Sequence, residues 1–169
     1  MNNNQKTLNK KLLAAAVSST KGNMIKELVR QGADINCTNE WGLTPLMLAA
    51  QYNTHIIVLK ALIHAGANID AVEPKYRSNA LHLASTRCSN VAVIDVLVDA
   101  GADVNARNYL GETPLILAAA QNPNTRIFSQ LLKRGADITI RDWQGHSVLD
   151  YARLAKRSYM ITIIRQLGL

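Results

Sequence analysis

The chain has 169 residues, 48% of them hydrophobic and 18% charged, and no apolar run reaches the roughly 18 residues that a membrane-spanning helix needs. These values exclude a disordered chain and are typical of one folded domain. The net charge of +7 is uneven, because residues 1–31 carry +5, residues 32–125 carry −3 and residues 126–169 carry +5. The basic charge at the two ends has two possible explanations: a solvated outer surface on the terminal parts of the fold, or an acidic or nucleic-acid partner.

The chain begins with a polar stretch and a short apolar run. We expect residues 1–6, which are rich in Asn, to form a disordered tail. The apolar run at 12–17 aligns with the repeat described next, so we assign it to the fold and not to a targeting signal. Cys37 and Cys88 are the two cysteines of the chain. So few thiols are typical of a reducing compartment, which predicts a cytoplasmic protein without a disulfide.

Two phrases recur along the chain at a fixed spacing. The first contains a glycine that returns after 34, 35 and 34 residues, and the second is a helix-like phrase at a constant offset. Self-similarity at this period indicates stacked structural repeats, which present an extended surface and no single enclosed pocket. The first phrase reads GADIN at 32–36, GANID at 66–70, GADVN at 101–105 and GADIT at 135–139. The second reads TPLMLAA at 44–50, NALHLAS at 79–85, TPLILAA at 113–119 and SVLDYA at 147–152.

The unit at 39–72 shows how one repeat folds. Thr44 followed by proline predicts a helix start, because the hydroxyl can cap a free N–H and proline fits the first helical position. The apolar pattern then predicts one helix at 45–52 and a second at about 55–64. Gly66 ends the second helix. The polar segment that follows is too short for another helix, and we expect a hairpin-like finger there.

These phrases resemble the ankyrin repeat over residues 7–169. The resemblance implies an all-α solenoid of paired antiparallel helices with hairpin-like finger loops and about five repeats, including two caps. It also implies that the protein acts as an adaptor, an inhibitor or a regulatory subunit. The expected units are an N-terminal cap at 7–38, full repeats at 39–73, 74–107 and 108–141, and a C-terminal cap at 142–169.

The sequence departs from the family pattern in two places. The loop between the two helices is one residue longer than the pattern in all three full repeats, and it lacks the usual Gly-His. The finger at 71–78 is also one residue longer than its counterparts, has no glycine and carries two basic residues. We therefore predict that this finger is stiffer and more basic than the others.

Each finger carries one large aromatic residue, three or four positions before the next helix start. These rings are Trp41, Tyr76, Tyr109 and Trp143. Because aromatic residues supply much of the binding energy at protein interfaces, we predict that the rings anchor a partner. Packing along neighbouring fingers is the alternative role, and the sequence leaves it open.

Charged residues accompany the rings and alternate in sign along the finger tips. We predict that the cations Lys75, Arg77, Arg107 and Arg141 select the charge of the partner. The acids expected at the tips beside them are Glu40, Glu112 and Asp142.

Catalytic and cofactor chemistry finds no support in the residues. His55, His64, His82 and His146 fall in different units, and no His/Cys pair has the spacing of metal ligands. We expect His82 to be a structural hydrogen-bonding residue. Glycines mark helix ends and turns, not a phosphate loop. The prediction is therefore no enzyme, no metal and no cofactor.

Two functions remain open at this point. The leading hypothesis is a monomeric, non-catalytic module that binds another protein along the concave side formed by finger tips and first helices. The alternative is binding of nucleic acid or an anionic surface through the basic terminal caps, where residues 153–157 carry three cations.

Overall fold

Over residues 3–168, the part of the chain that the computed structural model describes, ten α-helices form five successive pairs and no strand is present. This all-helical architecture confirms the predicted class of fold. The five pairs follow the order of the five expected units, and α1 begins at Asn3, before the expected start of the first unit at residue 7. The helices are α1 (Asn3–Ser18), α2 (Gly22–Arg30), α3 (Pro45–Tyr52), α4 (Ile56–His64), α5 (Ala80–Arg87), α6 (Ala92–Asp99), α7 (Pro114–Gln121), α8 (Thr125–Lys133), α9 (Val148–Leu154) and α10 (Ser158–Gln166).

Side-chain caps fix the start of each first helix from α3 onward. The hydroxyl of Thr44 accepts a hydrogen bond from the Met47 amide at 3.3 Å, and Ser147 does the same for Asp150. Asn79 replaces threonine at the start of α5 and caps it equally well, because its side-chain oxygen accepts from the His82 amide at 3.1 Å. These caps satisfy N–H groups that have no partner inside the helix.

Small residues on the first helices let neighbouring units approach closely. Ala50, Ala84, Ala118 and Ala152 are fully buried between successive first helices. The larger apolar residues of the second helices, such as Phe128, fill the layer behind them. From α3 onward, the first helices therefore make more extensive contacts with each other than the second helices do.

Helix α1 extends further toward the N-terminus than the repeat pattern requires. It includes residues 3–6, which the sequence analysis assigned to a disordered tail. Gln5 accounts for the difference, because its side-chain amide donates to the Asn9 side chain at 3.0 Å and to the Gly32 carbonyl at 2.6 Å. Met1 and Asn2 lie outside the described residues.

Buried asparagines join neighbouring units at the loops between the helices. The side-chain amide of Asn53 donates to the carbonyls of Ala16 and Ser19 in the preceding unit, both at 2.9 Å. Asn122 makes the same pair of bonds two units later. Cys88 occupies the equivalent position in the repeat between them, and its thiol lies 3.4 Å from the Asn90 carbonyl instead. The unusual loops are predictable from the sequence, whereas this bridging role is not.

Candidate functional site

Four finger turns project from the described part of the array and are called the first to the fourth finger in chain order. The first finger spans residues 39–43, the second 73–78, the third 108–112 and the fourth 142–146. In each, the first residue accepts backbone N–H bonds with its side chain and so closes the turn. Asn39, Glu73, Asn108 and Asp142 fill this role.

The second finger reaches the same closure with one additional residue. The longer side chain of Glu73 receives the amides of Lys75, Tyr76 and Ser78 at 2.7 to 3.2 Å. Arg77 lies one residue before the end of the finger, where the other three fingers have glycine, and its φ of 54° is in the left-handed region. An L-residue in this region costs about 1–2 kcal/mol, so the fold alone gives no reason for an arginine here.

The four predicted anchor rings are exposed to solvent. Trp41, Tyr109 and Trp143 have 68%, 66% and 65% of their surface accessible, and Tyr76 has 43%. Apolar rings with two thirds of their surface in water gain little from folding, since burial is what stabilises them. Their exposure favours a role in contacts beyond the folded chain.

Hydrogen bonds between neighbouring fingers nevertheless fix the backbone beside three of the rings. The Tyr109 amide donates to the Tyr76 carbonyl at 2.6 Å, and the Trp143 amide donates to the Leu110 carbonyl at 3.1 Å. The Trp143 ring also lies flush against Gly111, where an added Cβ would approach ring carbons to 2.7 Å. The backbones of Tyr109 and Trp143 are therefore positioned by the preceding finger, while both rings stay open to solvent.

The predicted cations divide into two kinds. The guanidinium of Arg107 lies 4.5 Å from the Trp143 ring centre and donates to the Arg141 carbonyl at 2.8 Å. Arg141 donates in turn to the Gly145 carbonyl at 2.8 Å and lies 3.8 Å from Asp150. Both arginines thus stiffen the third and fourth fingers. Lys75 instead covers the Tyr76 ring at 4.7 Å, and the Arg77 side chain has no hydrogen bond or ion pair with any other described residue.

The expected alternation of charge along the tips is wrong for two of the three acids. Glu112 and Asp142 are buried, with 9% and 7% of their surface accessible. Glu112 accepts from the Asn108 side chain, and Asp142 accepts from the Tyr151 hydroxyl, both at 2.8 Å. Burial raises the pKa of Asp142, but the hydrogen bonds from Tyr151 and His146 lower it by more, so its net pKa is below the ordinary value.

An open groove of about 670 Å³ lies between the third and fourth fingers. Its walls are apolar at Tyr109, Leu110, Trp143 and the ring of Tyr151, and polar at Asn108, Asp142 and Gln144. Leu110 is 40% exposed. The groove offers concave apolar surface between two finger tips.

His82 is buried and structural, as predicted. Its Nε2 lies 3.1 Å from the Ala106 carbonyl and 3.2 Å from the Glu112 carbonyl, so it donates to the base of the next finger. Burial lowers the pKa of His82 to about 4, although the two carbonyls and the charge of Asp103 oppose the shift. The imidazole is therefore neutral at pH 7 and contributes to stability by joining two units.

Neither metal nor redox chemistry has a visible centre in the part of the chain that the structure covers. Residues 3–168 contain no cluster of His, Cys, Asp or Glu that could hold a metal ion, and Cys37 and Cys88 are buried free thiols. Burial raises the pKa of Cys37 to about 11 and also raises that of Cys88, which makes both poor nucleophiles. None of the helices described here is long and apolar enough to cross a membrane.

Stacked helix pairs with closed fingers along one edge define a helical repeat protein. A family model for three copies of the ankyrin repeat matches residues 12–108, more than half of the chain, and one for many copies matches residues 97–152. The chain belongs to the ankyrin repeat family. Ankyrin repeats are generally non-catalytic and bind other proteins.

Similar proteins occur in viruses, fungi and animals. The chain is 36% identical over 113 residues to an ankyrin repeat protein of fowlpox virus (strain NVSL), covering 66% of this chain and 33% of that protein. It is 37% identical over 91 residues to an ankyrin repeat domain-containing protein of Stachybotrys chartarum (54% and 5%). It is also 39% identical over 77 residues to a palmitoyltransferase of Danio rerio (45% and 12%), through the ankyrin region of that enzyme. The chain spans a third or less of the length of these relatives.

Proposed function

We propose that this chain is a non-catalytic protein-binding module that holds a partner along its finger tips and first helices, as an adaptor, inhibitor or regulatory subunit. Trp41, Tyr76, Tyr109 and Trp143 anchor the partner, and the cations beside them select its charge. The observation that carries the proposal is the solvent exposure of all four rings, combined with backbone bonds between fingers at Tyr76, Tyr109 and Trp143. A ring that is already ordered loses little conformational entropy on binding.

The location of the rings supports the same role. They lie on the edge of the array that adjoins the first helices. Because their loops are closed by their own side chains, substitutions at the rings should leave the helix pairs intact. The two buried free thiols agree with a reducing, cytoplasmic location, which we also propose.

Alanine at all four rings provides the test. Wild type and the variant are immobilised and used to capture partners from a cell lysate, which are identified by mass spectrometry. The matched control replaces Met24, Ile57 and Tyr159, apolar residues of the second helices that are 53% to 56% exposed. The control should keep the wild-type partners, and the ring variant should lose them while its circular dichroism stays unchanged. Equal capture by a folded ring variant would contradict the proposal.

Binding of nucleic acid or an anionic surface through the caps is the second candidate. Lys6, Lys10 and Lys11 on α1 are exposed, and so are Arg153 and Lys156 at the other end. This candidate predicts that the affinity for nucleic acid falls steeply with rising salt, because each phosphate contact releases a counterion. A flat salt response with a duplex or single-stranded oligonucleotide would eliminate it.

A further inference from the structure

Burial changes the charge that a partner meets at the finger tips. Over the four fingers, with Arg107 and Arg141 at their bases, the sequence contains four acids and four cations. Three of those acids, Glu73, Glu112 and Asp142, have less than 10% of their surface accessible. Their oxygens are used by the fingers' own N–H and hydroxyl groups. Within the four fingers and the two arginines at their bases, a partner therefore finds four exposed cations and one exposed carboxylate, that of Glu40.

The second finger concentrates the cations that the fold does not use. Lys75 and Arg77 flank Tyr76, and neither makes an ion pair with any described residue. Arg77 also holds a left-handed backbone conformation that glycine would adopt without strain. Backbone strain of this kind is typical of residues in functional sites. The group that the strained residue presents here is a guanidinium.

The apolar groove lies one finger away from these cations. The Tyr76 carbonyl accepts the Tyr109 amide, so the second and third fingers touch, and the groove begins at Tyr109. Helices of adjacent units are about 8–10 Å apart, so the distance from the second finger to the centre of the groove is about 12–15 Å. An extended chain covers that distance in about four residues.

We propose that the partner contributes an extended acidic segment, in which a carboxylate pairs with Lys75 and Arg77 and an aromatic or large aliphatic side chain about four residues away enters the groove beside Trp143. The proposal rests on the proposed protein-binding function and specifies its partner. A carboxylate suits Arg77 because a guanidinium can donate two parallel hydrogen bonds to it.

The surroundings favour a short acidic segment over a long polyphosphate. Each unit has one exposed Asp in the turn that leads into its finger, at positions 34, 70, 103 and 137. A nucleic acid lying along the array would meet one of these carboxylates in every unit, whereas a short segment touches two or three tips. The net charge of +7 also argues against a second copy of this chain as the occupant.

The experiment selects binders from a phage library of random peptides, with immobilised wild-type protein. Enriched peptides should contain Asp or Glu and an aromatic or Leu residue at a spacing of about four. Their affinity should fall at least tenfold for the double variant Lys75→Glu/Arg77→Glu, by loss of a charge-assisted pair and new repulsion. Lys26→Glu/Lys60→Glu, on exposed positions of the second helices, is the matched control and should bind like wild type.

Each other outcome overturns the inference. Neutral or basic peptides, no enrichment, or binding that survives the charge reversal would contradict an acidic segment, and tighter binding of a single-stranded oligonucleotide at the same tips would assign them to nucleic acid. The four-ring alanine variant distinguishes a failure of protein binding by the rings from a failure of the acidic partner. If it loses the peptides while the charge reversal does not, protein binding by the rings stands and the acidic partner falls.

Discussion

Single buried polar residues decide how neighbouring units are joined. His82 is the clearest case, because its Nε2 donates to carbonyls at the base of the next finger, while Met47 and Ile116 occupy the corresponding positions in the repeats on either side. Its side chain is 1% exposed. A neutral imidazole donates to both carbonyls. A charged imidazole would lose its hydration at this buried position, which is unfavourable. Protonation of this one residue therefore weakens the junction between two repeats.

The stability of the protein should depend on the protonation of His82. The pKa is about 4 in the folded state and near 6.5 in the unfolded state, so the unfolded chain binds the proton more readily between these values. The stabilisation is complete above pH 6.5 and is lost as the pH falls toward 4, by up to about 3 kcal/mol. Urea unfolding across this window measures it, with His82→Met as the control. If the difference between the two proteins did not vary with pH, the assignment would be incorrect.

The asparagine bridge predicts a stabilising substitution at Cys88. An asparagine there should reach the Ala50 and Asn53 carbonyls, as Asn53 and Asn122 reach theirs. We expect Cys88→Asn to raise the free energy of unfolding by about 1 kcal/mol, the net value of an added buried hydrogen bond. Cys88→Ser, too short to bridge the loops, is the matched control. Urea unfolding in which the Asn variant is no more stable than the Ser variant would contradict the bridge.

At the scale of one element, the second finger shows how an insertion is accommodated. Glu73 replaces the asparagine or aspartate of the other fingers, and its longer side chain closes a turn that has one more residue. The finger thereby keeps its contact with the third finger through the Tyr76 carbonyl. What the insertion adds is a pair of cations around a ring, at the expense of strain at Arg77.

Arg77→Gly separates the stability of this finger from its function. Glycine adopts the left-handed backbone conformation without strain, but it also raises the conformational entropy of the unfolded chain. We therefore expect a net gain of about 0.5–1 kcal/mol in the free energy of unfolding. The same variant should bind the acidic peptides more weakly. Arg77→Ala, which removes the charge and keeps the strain, should lose binding without gaining stability. Thermal unfolding and peptide titration of both variants measure the two effects, and equal stability of Gly and Ala at this position would refute the strain.

At the scale of the molecule, an array of five helix pairs over residues 3–168 presents its fingers along one edge. The sequence predicts this architecture well, because the repeat period, the Thr44-Pro45 start and the glycine ends are local signals. The side-chain environments were harder to predict. The sequence predicts surface charges in a polar turn for Glu112 and Asp142, but both are buried, and Asn108 and Tyr151 donate to them. The bridges of Asn53 likewise depend on another unit, more than 30 residues away in the chain.

The roles of the charged residues at the finger tips were equally hard to predict from the sequence. The sequence placed a ring and a charge at each tip, but it could not separate Arg107 and Arg141, which stiffen the fingers, from Lys75 and Arg77, which the fold leaves available. That separation comes from the Arg141 carbonyl, which Arg107 reaches from the preceding repeat, and from the Gly145 carbonyl, which Arg141 reaches in its own finger. Local patterns thus locate the fingers, and contacts within and between repeats decide which tip residues can serve a partner.

The accessibility of Trp41 and Trp143 in a complex tests the central claim most directly. They are the two tryptophans of the chain and lie on the first and fourth fingers, 68% and 65% exposed. Acrylamide quenching of their fluorescence is compared in the free protein and in the complex with a captured partner, through Trp41→Phe and Trp143→Phe in turn. If the fingers are the interface, binding should shift the emission to shorter wavelength and protect both rings from the quencher. A complex in which both tryptophans remain as accessible as in the free protein would contradict this account.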